Sequence, residues 1–299
     1  GFSEVLDAFY DERDSIERMR VKSQSLTKLL TNTAERIARK ITKQQSELLQ
    51  CANREQLRIC GDLLQANLYR IERGAPFAEV ENYYDADGKT IRIKLNPAIS
   101  PAANAQKYYK DYQKAKNAEA ILGGQIEKGK AELEYIESVI DEVSRAETER
   151  ELSQIREELT EQGYLHIRKG KQKPLSQLPP HEFESSDGFK ILVGRNNRQN
   201  DKLTLKTASK NDMWLHTKDI HGSHTIIFAD GREISDTAII EAARLAAYHS
   251  KARNSSQVPV DYTLVRYVSK PTGAKPGMVI YVNNKTVYVS PSCDGRNYK

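Results

Sequence analysis

Two long stretches without proline constrain this chain more than any other feature. From about Asp11 to Arg73 there is no proline, and apolar residues recur as Ile16, Met19, Leu26, Leu30, Ile37, Ile41 and Leu48. Their spacing, mostly three, four or seven residues, puts them on one stripe of a helix with a heptad-like seam. A second run begins near Ala102 and continues to about Gln162, with its seam at Ile126, Leu133, Ile136, Ile140 and Val143. The seam resumes out of phase at Leu152, Ile155 and Leu159, which reads as a stutter in a long coil. At about 1.5 Å per residue each run reaches several tens of ångströms. Neither stripe can be buried alone, so the expectation is an antiparallel pair, with a first arm over 1–75 and a second over 102–162.

Residues 76–101 then form a small tip module. Val80–Tyr84 and Thr90–Leu95 flank Asp85-Ala-Asp-Gly88, an alternating pattern around a turn that predicts a β-hairpin. Asn96-Pro97 and Ser100-Pro101 break the strand and prepare the first turn of the next helix. Tyr83, Tyr84, Tyr108, Tyr109 and Tyr112 read as packing residues of this module, with docking as the alternative.

Past Gln162 the period changes. Residues 163–182, with Pro174, Pro179 and Pro180 among polar and basic neighbours, read as a linker. Over 183–299, strands are expected at Lys190–Val193, Met213–His216, His224–Phe228, Tyr262–Val268, Val279–Val282 and Val287–Val289, the last two as a hairpin about Asn283-Asn-Lys285. Val258-Pro-Val reads as a loop. Helices are expected over roughly Arg198–Ala208 and from a Ser235 cap to about Arg253, the second alanine-rich and able to lie close to a sheet. The fold class is therefore α+β: a long antiparallel coiled-coil helical hairpin with a tip module, followed by a compact α+β domain.

Composition fits that division. Only 38% of residues are hydrophobic and 29% are charged, lean for one compact body. Residues 1–180 balance at 29 Lys+Arg against 29 Asp+Glu, whereas 181–299 carry 17 against 12. A polyanionic partner is thus met by the last domain. Cys51, Cys60 and Cys293 have no metal or redox spacing, and no apolar stretch is long enough for a membrane helix. A cytoplasmic monomer is expected, without membrane contact. The opening pattern Phe2, Val5, Leu6 and Phe9 after Gly1 suggests a piece of a larger protein.

The densest motif is Gly194-Arg-Asn-Asn-Arg-Gln-Asn-Asp201, a strand-to-helix turn rich in donors. Arg195, Asn196, Asn197 and Arg198 could meet phosphate oxygens there; the plainer reading is a capped loop whose asparagines satisfy backbone groups. Next comes Trp214-Leu-His-Thr-Lys-Asp-Ile-His-Gly-Ser-His224. His216, His221 and His224 match no common metal-ligand spacing, and Ser223 and His224, as neighbours on a strand, point to opposite faces. Trp214 reads as core before base-stacking platform. The loop Ser269–Gly277 lacks the spacing of a phosphate-binding P-loop. No metal, cofactor or enzymatic activity is expected.

The run Ser186–Asp201, Asp212-Met-Trp-Leu-His216, Gly222-Ser-His224 and Lys270-Pro with Pro276-Gly resembles the RNA-binding NFACT-R domain over about 183–291. The helices before it resemble the coiled-coil arms of the same family, which includes the bacterial ribosome quality control factor RqcH, also called fibronectin-binding protein A-like, and eukaryotic NEMF. One departure is His221, where the family has proline before Gly-Ser-His; it affects the local bend. The resemblance implies binding to the large ribosomal subunit and tRNA on stalled nascent-chain complexes, in support of C-terminal alanine tailing. The implied contacts are Arg195, Asn196, Asn197, Arg198, His216, Lys218 and His224, as binding residues without chemical roles. The family name carries an alternative, an adhesin that binds fibronectin at the cell surface without a signal peptide or wall anchor.

Overall fold

The computed structural model describes residues 2–166, 177–293 and 296–297, with side chains described over 16–166 and 177–293. The expected linker therefore lies partly outside the described residues, as do the side chains of Phe2, Val5, Leu6 and Phe9. The chain divides into two compact units: Ile37–Lys130, and the residues to Arg36 together with those from Ala131 onward. Helices α1 (Phe2–Gln50) and α3 (Pro101–Arg145) contribute to both.

In the unit Ile37–Lys130, α1 and α3 run antiparallel. The Gln44 amide donates to Gln125 at 2.6 Å, and Ile41 packs on Gly129, where a Cβ would sit 3.0 Å from its side chain. The first helical run is interrupted: a 3-10 turn at Cys51–Asn53 separates α1 from α2 (Arg54–Ala66). The expected hairpin forms as β1 (Phe77–Glu81) and β2 (Thr90–Lys94), with Val80 opposite Ile91, but its first strand begins and ends three residues before the expected Val80–Tyr84, leaving Tyr83 and Tyr84 in the turn. Leu63, Leu64, Ala78, Val80, Ile93, Leu95 and Ala105 make its core. Asp62 organises the aromatic residues, accepting from the hydroxyls of Tyr84 at 2.6 Å and Tyr109 at 2.7 Å.

In the other unit, Leu26 and Leu30 of the first seam are buried, whereas Ile16 is 62% exposed. The second helical run is not one stuttered coil. It breaks between α3 and α4 (Glu149–Glu161), and Thr148 closes a capping box: its Oγ1 accepts from Glu151 N, and the Glu151 carboxylate accepts from Thr148 N. The change of phase marks a helix restart, for which Thr148-Glu-Arg-Glu151 was the local signal.

Seven antiparallel strands form the sheet of this unit in the order β10-β7-β5-β6-β4-β3-β11. They are β3 (His181–Glu184), β4 (Lys190–Val193), β5 (Met213–Thr217), β6 (Thr225–Ile227), β7 (Val258–Leu264), β10 (Lys285–Val289) and β11 (Arg296–Asn297). Val258-Pro-Val lies in β7, not in a loop. The expected strand Tyr262–Val268 is split by a 3-10 turn at Val265–Tyr267, after which β8 (Val268–Ser269) pairs with β9 (Ile280–Tyr281) in a separate ribbon. The expected hairpin about Asn283-Asn-Lys285 does not form, because β9 pairs with β8 and β10 with β7. Hydrophobic alternation identifies strands but not which neighbour each one finds.

Alternating strand residues serve two layers. Ile191, Val193, Leu215, Ile227, Val258 and Val260 face α6 (Asp236–Tyr248), whose Ala238, Ala242, Ala243, Ala246 and Ala247 are buried against them. Ser235 caps α6 by accepting from Ala238 N. Leu192, Trp214 and Ile226 face the other way, covered by Leu203, Val265 and Val268. The expected helix Arg198–Ala208 is a short α5 (Asn197–Lys202) that passes into a π turn at Leu203–Thr207.

Candidate nucleic-acid interface

The turn after β4 is built around two close approaches. A Cβ on Gly194 would overlap the Asn200 side-chain amide, so any larger residue would have to displace that buried, hydrogen-bonded group. Asn200 Oδ1 in turn accepts from His224 N at 3.1 Å, and Gly194 N donates to His224 O at 3.0 Å. The imidazole of His224 meets Thr204 Oγ1 at 2.8 Å. Asn196 caps α5, its side chain accepting from Gln199 N at 2.9 Å.

The four donors of this turn have partners on α3 and α4. Arg195 Nη1 lies 2.5 Å from the Glu151 carboxylate, and its Nε donates to Pro179 O at 2.8 Å. Asn196 Nδ2 donates to Gln154 at 3.3 Å, and Asn197 Nδ2 to Ser138 Oγ at 2.9 Å. Arg198 uses its backbone N–H on Glu158 at 3.1 Å and its guanidinium on Glu161 at 3.1 Å. Asn196 and Asn197 are buried. The turn is thus a dock between the α+β domain and the helices before it. The loop Ser269–Gly277 joins the same dock: a Cβ on Gly277, at φ +78°, would overlap the Asn197 side chain, and Lys275 Nζ donates to Gln162 at 3.1 Å.

Burial sets the charges here. It raises the Glu158 and Glu142 carboxyls above their ordinary range. Burial opposes ionisation at Glu151 too, but hydrogen bonds from Glu147 N and Arg195 outweigh it and hold that carboxyl low.

The histidines form an aromatic cluster. His216 stacks on Trp214 with ring centroids 5.7 Å apart, and His224 meets both edge-on. Burial lowers His216 to about 4 and His224 to about 3, so both are neutral at neutral pH. Trp214 is 1% exposed and belongs to the core. Among the described residues no group of three or more His, Cys, Asp and Glu is placed to hold a metal ion. Of the seven residues singled out in the sequence, Lys218 and Arg198 are exposed, His216 is half-buried, and the rest are turned toward protein. Reasoning along the sequence missed Glu151, Gln154 and Glu158. Their signal was a buried, carboxylate-rich stripe beside the second seam.

A family model for the NFACT protein RNA binding domain matches residues 180–283, which hold this turn and the sheet. A model for the NFACT N-terminal and middle domains matches residues 1–177. The chain belongs to the NFACT family. It is 45% identical over 297 residues to the Rqc2 homolog RqcH of Bacillus subtilis (strain 168), covering 98% of the chain and 52% of that relative. It is 40% identical over 295 residues to the Rqc2 homolog RqcH of Streptococcus suis (strain 05ZYH33), again 98% of the chain and 52% of the relative. This NFACT chain therefore spans about half the length of those curated relatives. It is also similar to the solved C-terminal structure of the fibronectin/fibrinogen-binding protein from Streptococcus suis, with a TM-score of 0.73 and 36% identity over 93% of this chain and 97% of that one. Among the described residues no helix is long and apolar enough to cross a membrane.

Proposed function

We propose that this NFACT chain is the RNA-binding portion of a cytoplasmic ribosome quality control factor. It binds the large ribosomal subunit and tRNA on stalled nascent-chain complexes and supports C-terminal alanine tailing without itself performing a chemical step. The observation that carries the reading is the 45% identity to RqcH over nearly the whole chain, together with a C-terminal domain that holds the chain's whole net positive charge. In this reading Lys218 and Arg198 contact RNA. Arg195, Asn196 and Asn197 hold the domain to α3 and α4, while His224 braces the turn through Gly194, Asn200 and Thr204 and His216 packs on Trp214, so they set where the RNA-binding surface is presented.

The test is binding of the chain to purified large subunits and to tRNA across a salt series. Phosphate contacts release counterions, so affinity should fall steeply as salt rises. A chain that ignores both RNAs at low salt ends the proposal. The relation to a fibronectin/fibrinogen-binding protein supports a second reading, adhesion. It predicts saturable fibronectin binding with little salt dependence, measured in parallel.

A further inference from the structure

The β8–β9 ribbon exposes an apolar face that no other element of the described fold covers. Val268 and Tyr281 point inward, Val268 being buried and Tyr281 lying on Trp214 at 4.7 Å. Alternation then turns their neighbours outward: Tyr267, Ile280 and Val282 are 37%, 59% and 59% exposed. Tyr267 and Val282 are opposite each other, joined by Val282 N to Tyr267 O at 3.2 Å, and Ile280 lies one step along, opposite Ser269.

The two segments that border this face carry charge of one sign. Residues 202–211 and 262–293 contain no Asp or Glu and seven Lys or Arg. The fold brings these separate segments together: Arg266 N donates to Lys210 O at 3.3 Å, and the Arg266 guanidinium donates to Asn211 Oδ1 at 2.5 Å. That guanidinium also lies 5.9 Å from the Tyr267 ring centroid. Leu203 of the π turn packs in the same layer as Val265 and Val268, and Lys206 of that turn is exposed. Lys206, Lys210 and Arg266 are in no ion pair among the described residues. Of the bordering acids, Asp201 pairs with Lys270, Asp212 and Asp261 are buried and hydrogen-bonded, and exposed Asp219 lies within electrostatic reach of Tyr281 on the ribbon's inward side.

We infer that this ribbon is a further face that takes RNA, distinct from the contacts at Lys218 and Arg198, and that it takes unpaired nucleotides. Bases stack on Tyr267 and the flanking apolar side chains, while Lys206, Lys210 and Arg266 hold the phosphates. A flat apolar strip with cations on its rim matches a single strand, whose bases are free to stack; a duplex hides its bases and offers phosphates alone. A protein partner for the same strip would have to bring its own carboxylates to the cationic rim, whereas every nucleotide of RNA carries a phosphate. The inference rests on the RNA-binding reading above.

The test uses the 299-residue chain and two fluorescein-labelled RNAs of equal length, one an unstructured single strand and the other a blunt duplex. Two double variants remove the site, Tyr267→Ala/Ile280→Ala and Lys210→Ala/Arg266→Ala. Arg244→Ala/Lys251→Ala removes the same charge from exposed positions in and just after α6, and Trp214 fluorescence checks that each variant is folded. The expected result is tighter binding of the single strand, weakened about tenfold or more by each site variant and less than twofold by the control. Binding that the site variants leave unchanged overturns this assignment and leaves the RNA-binding reading standing. A chain that binds neither these RNAs nor the large subunit removes both. If the apolar variant abolishes fibronectin binding and leaves RNA binding intact, the ribbon is a protein dock and the inference is wrong.

Discussion

Breaking the Arg195–Glu151 pair should weaken the whole α+β domain, by an amount its surroundings allow to be estimated. The two side chains are 21% and 10% exposed. At roughly 4 Å between charge centres and an effective dielectric constant of about 20, their attraction is about 4 kcal/mol. Removing one partner of a buried pair costs about 3–5 kcal/mol. The lower end applies here, because Glu151 keeps hydrogen bonds from Glu147 N at 2.8 Å and Thr148 N at 3.1 Å, and Arg195 retains some contact with water. Arg195→Met should therefore cost about 3 kcal/mol. A double-mutant cycle with Glu151→Gln should give a coupling of about 1–2 kcal/mol. The assay is urea unfolding followed through Trp214, the only tryptophan and a core residue of this domain. The pair is largely shielded, so the coupling should survive 1 M salt better than that of an exposed pair. A coupling below about 0.3 kcal/mol would refute the view that this pair fastens the domain.

Three further outcomes follow from the same structure. Gly277→Ala should cost well over 2 kcal/mol, because it adds a clash with Asn197 to the strain of a positive φ, whereas Gly273→Ala, at φ +80° with open space around it, should cost about 1 kcal/mol; equal losses in chemical denaturation would show that the contact with Asn197 is unimportant. Thr148→Ala should cost about 1 kcal/mol, read as a lower urea midpoint with loss of helical circular dichroism, and no change would mean that the α4 cap carries nothing. Stability should be level above about pH 6.5 and fall toward pH 4: burial holds His181 and His216 at about 4 and His224 and His249 at about 3, so the unfolded chain takes up protons first. Each histidine contributes at most about 1.4 kcal/mol per pH unit, while Glu142 and Glu158, raised by burial, gain protons in the folded state and oppose the fall; a melting temperature that stays constant from pH 6.5 to 5 would contradict the neutral burial of these rings.

The long helices were legible because their signal is local. Leu26, Leu30, Ile37, Ile41, Ile126, Ile136 and Val143 repeat at helical spacing, and those positions are buried. The Asp-Gly hairpin and the Ser235 cap could be read for the same reason, since a turn or a cap is decided by a few consecutive residues. The break at Thr148 was present in the sequence as a capping box but was hidden by a seam that continues on both sides of it. Most strands were also readable, though β3 and the start of β7, where Pro259 suggested a loop, were not. Strand partnership was not, since β9 and β10 carry the same alternation whichever neighbour they take.

The turn at Gly194 separates the two kinds of information most clearly. Its sequence determines a dense set of donors at a helix start, and that composition suits a phosphate backbone and a protein carboxylate equally well. Only the tertiary structure decided between them for Arg195, because Glu151 lies 44 residues earlier in the chain and nothing local indicates that the two meet. The same holds for the β8–β9 ribbon. Lys210 and Arg266 are ordinary surface cations in the sequence, and Tyr267 and Val282 ordinary apolar residues of a strand. They become one surface only when the 3-10 turn at Val265–Tyr267 takes the chain out of the main sheet and folds it back over Trp214. Periodicity and caps are encoded over a few residues, whereas a site is a meeting of distant ones, settled by which faces the packed core leaves outside.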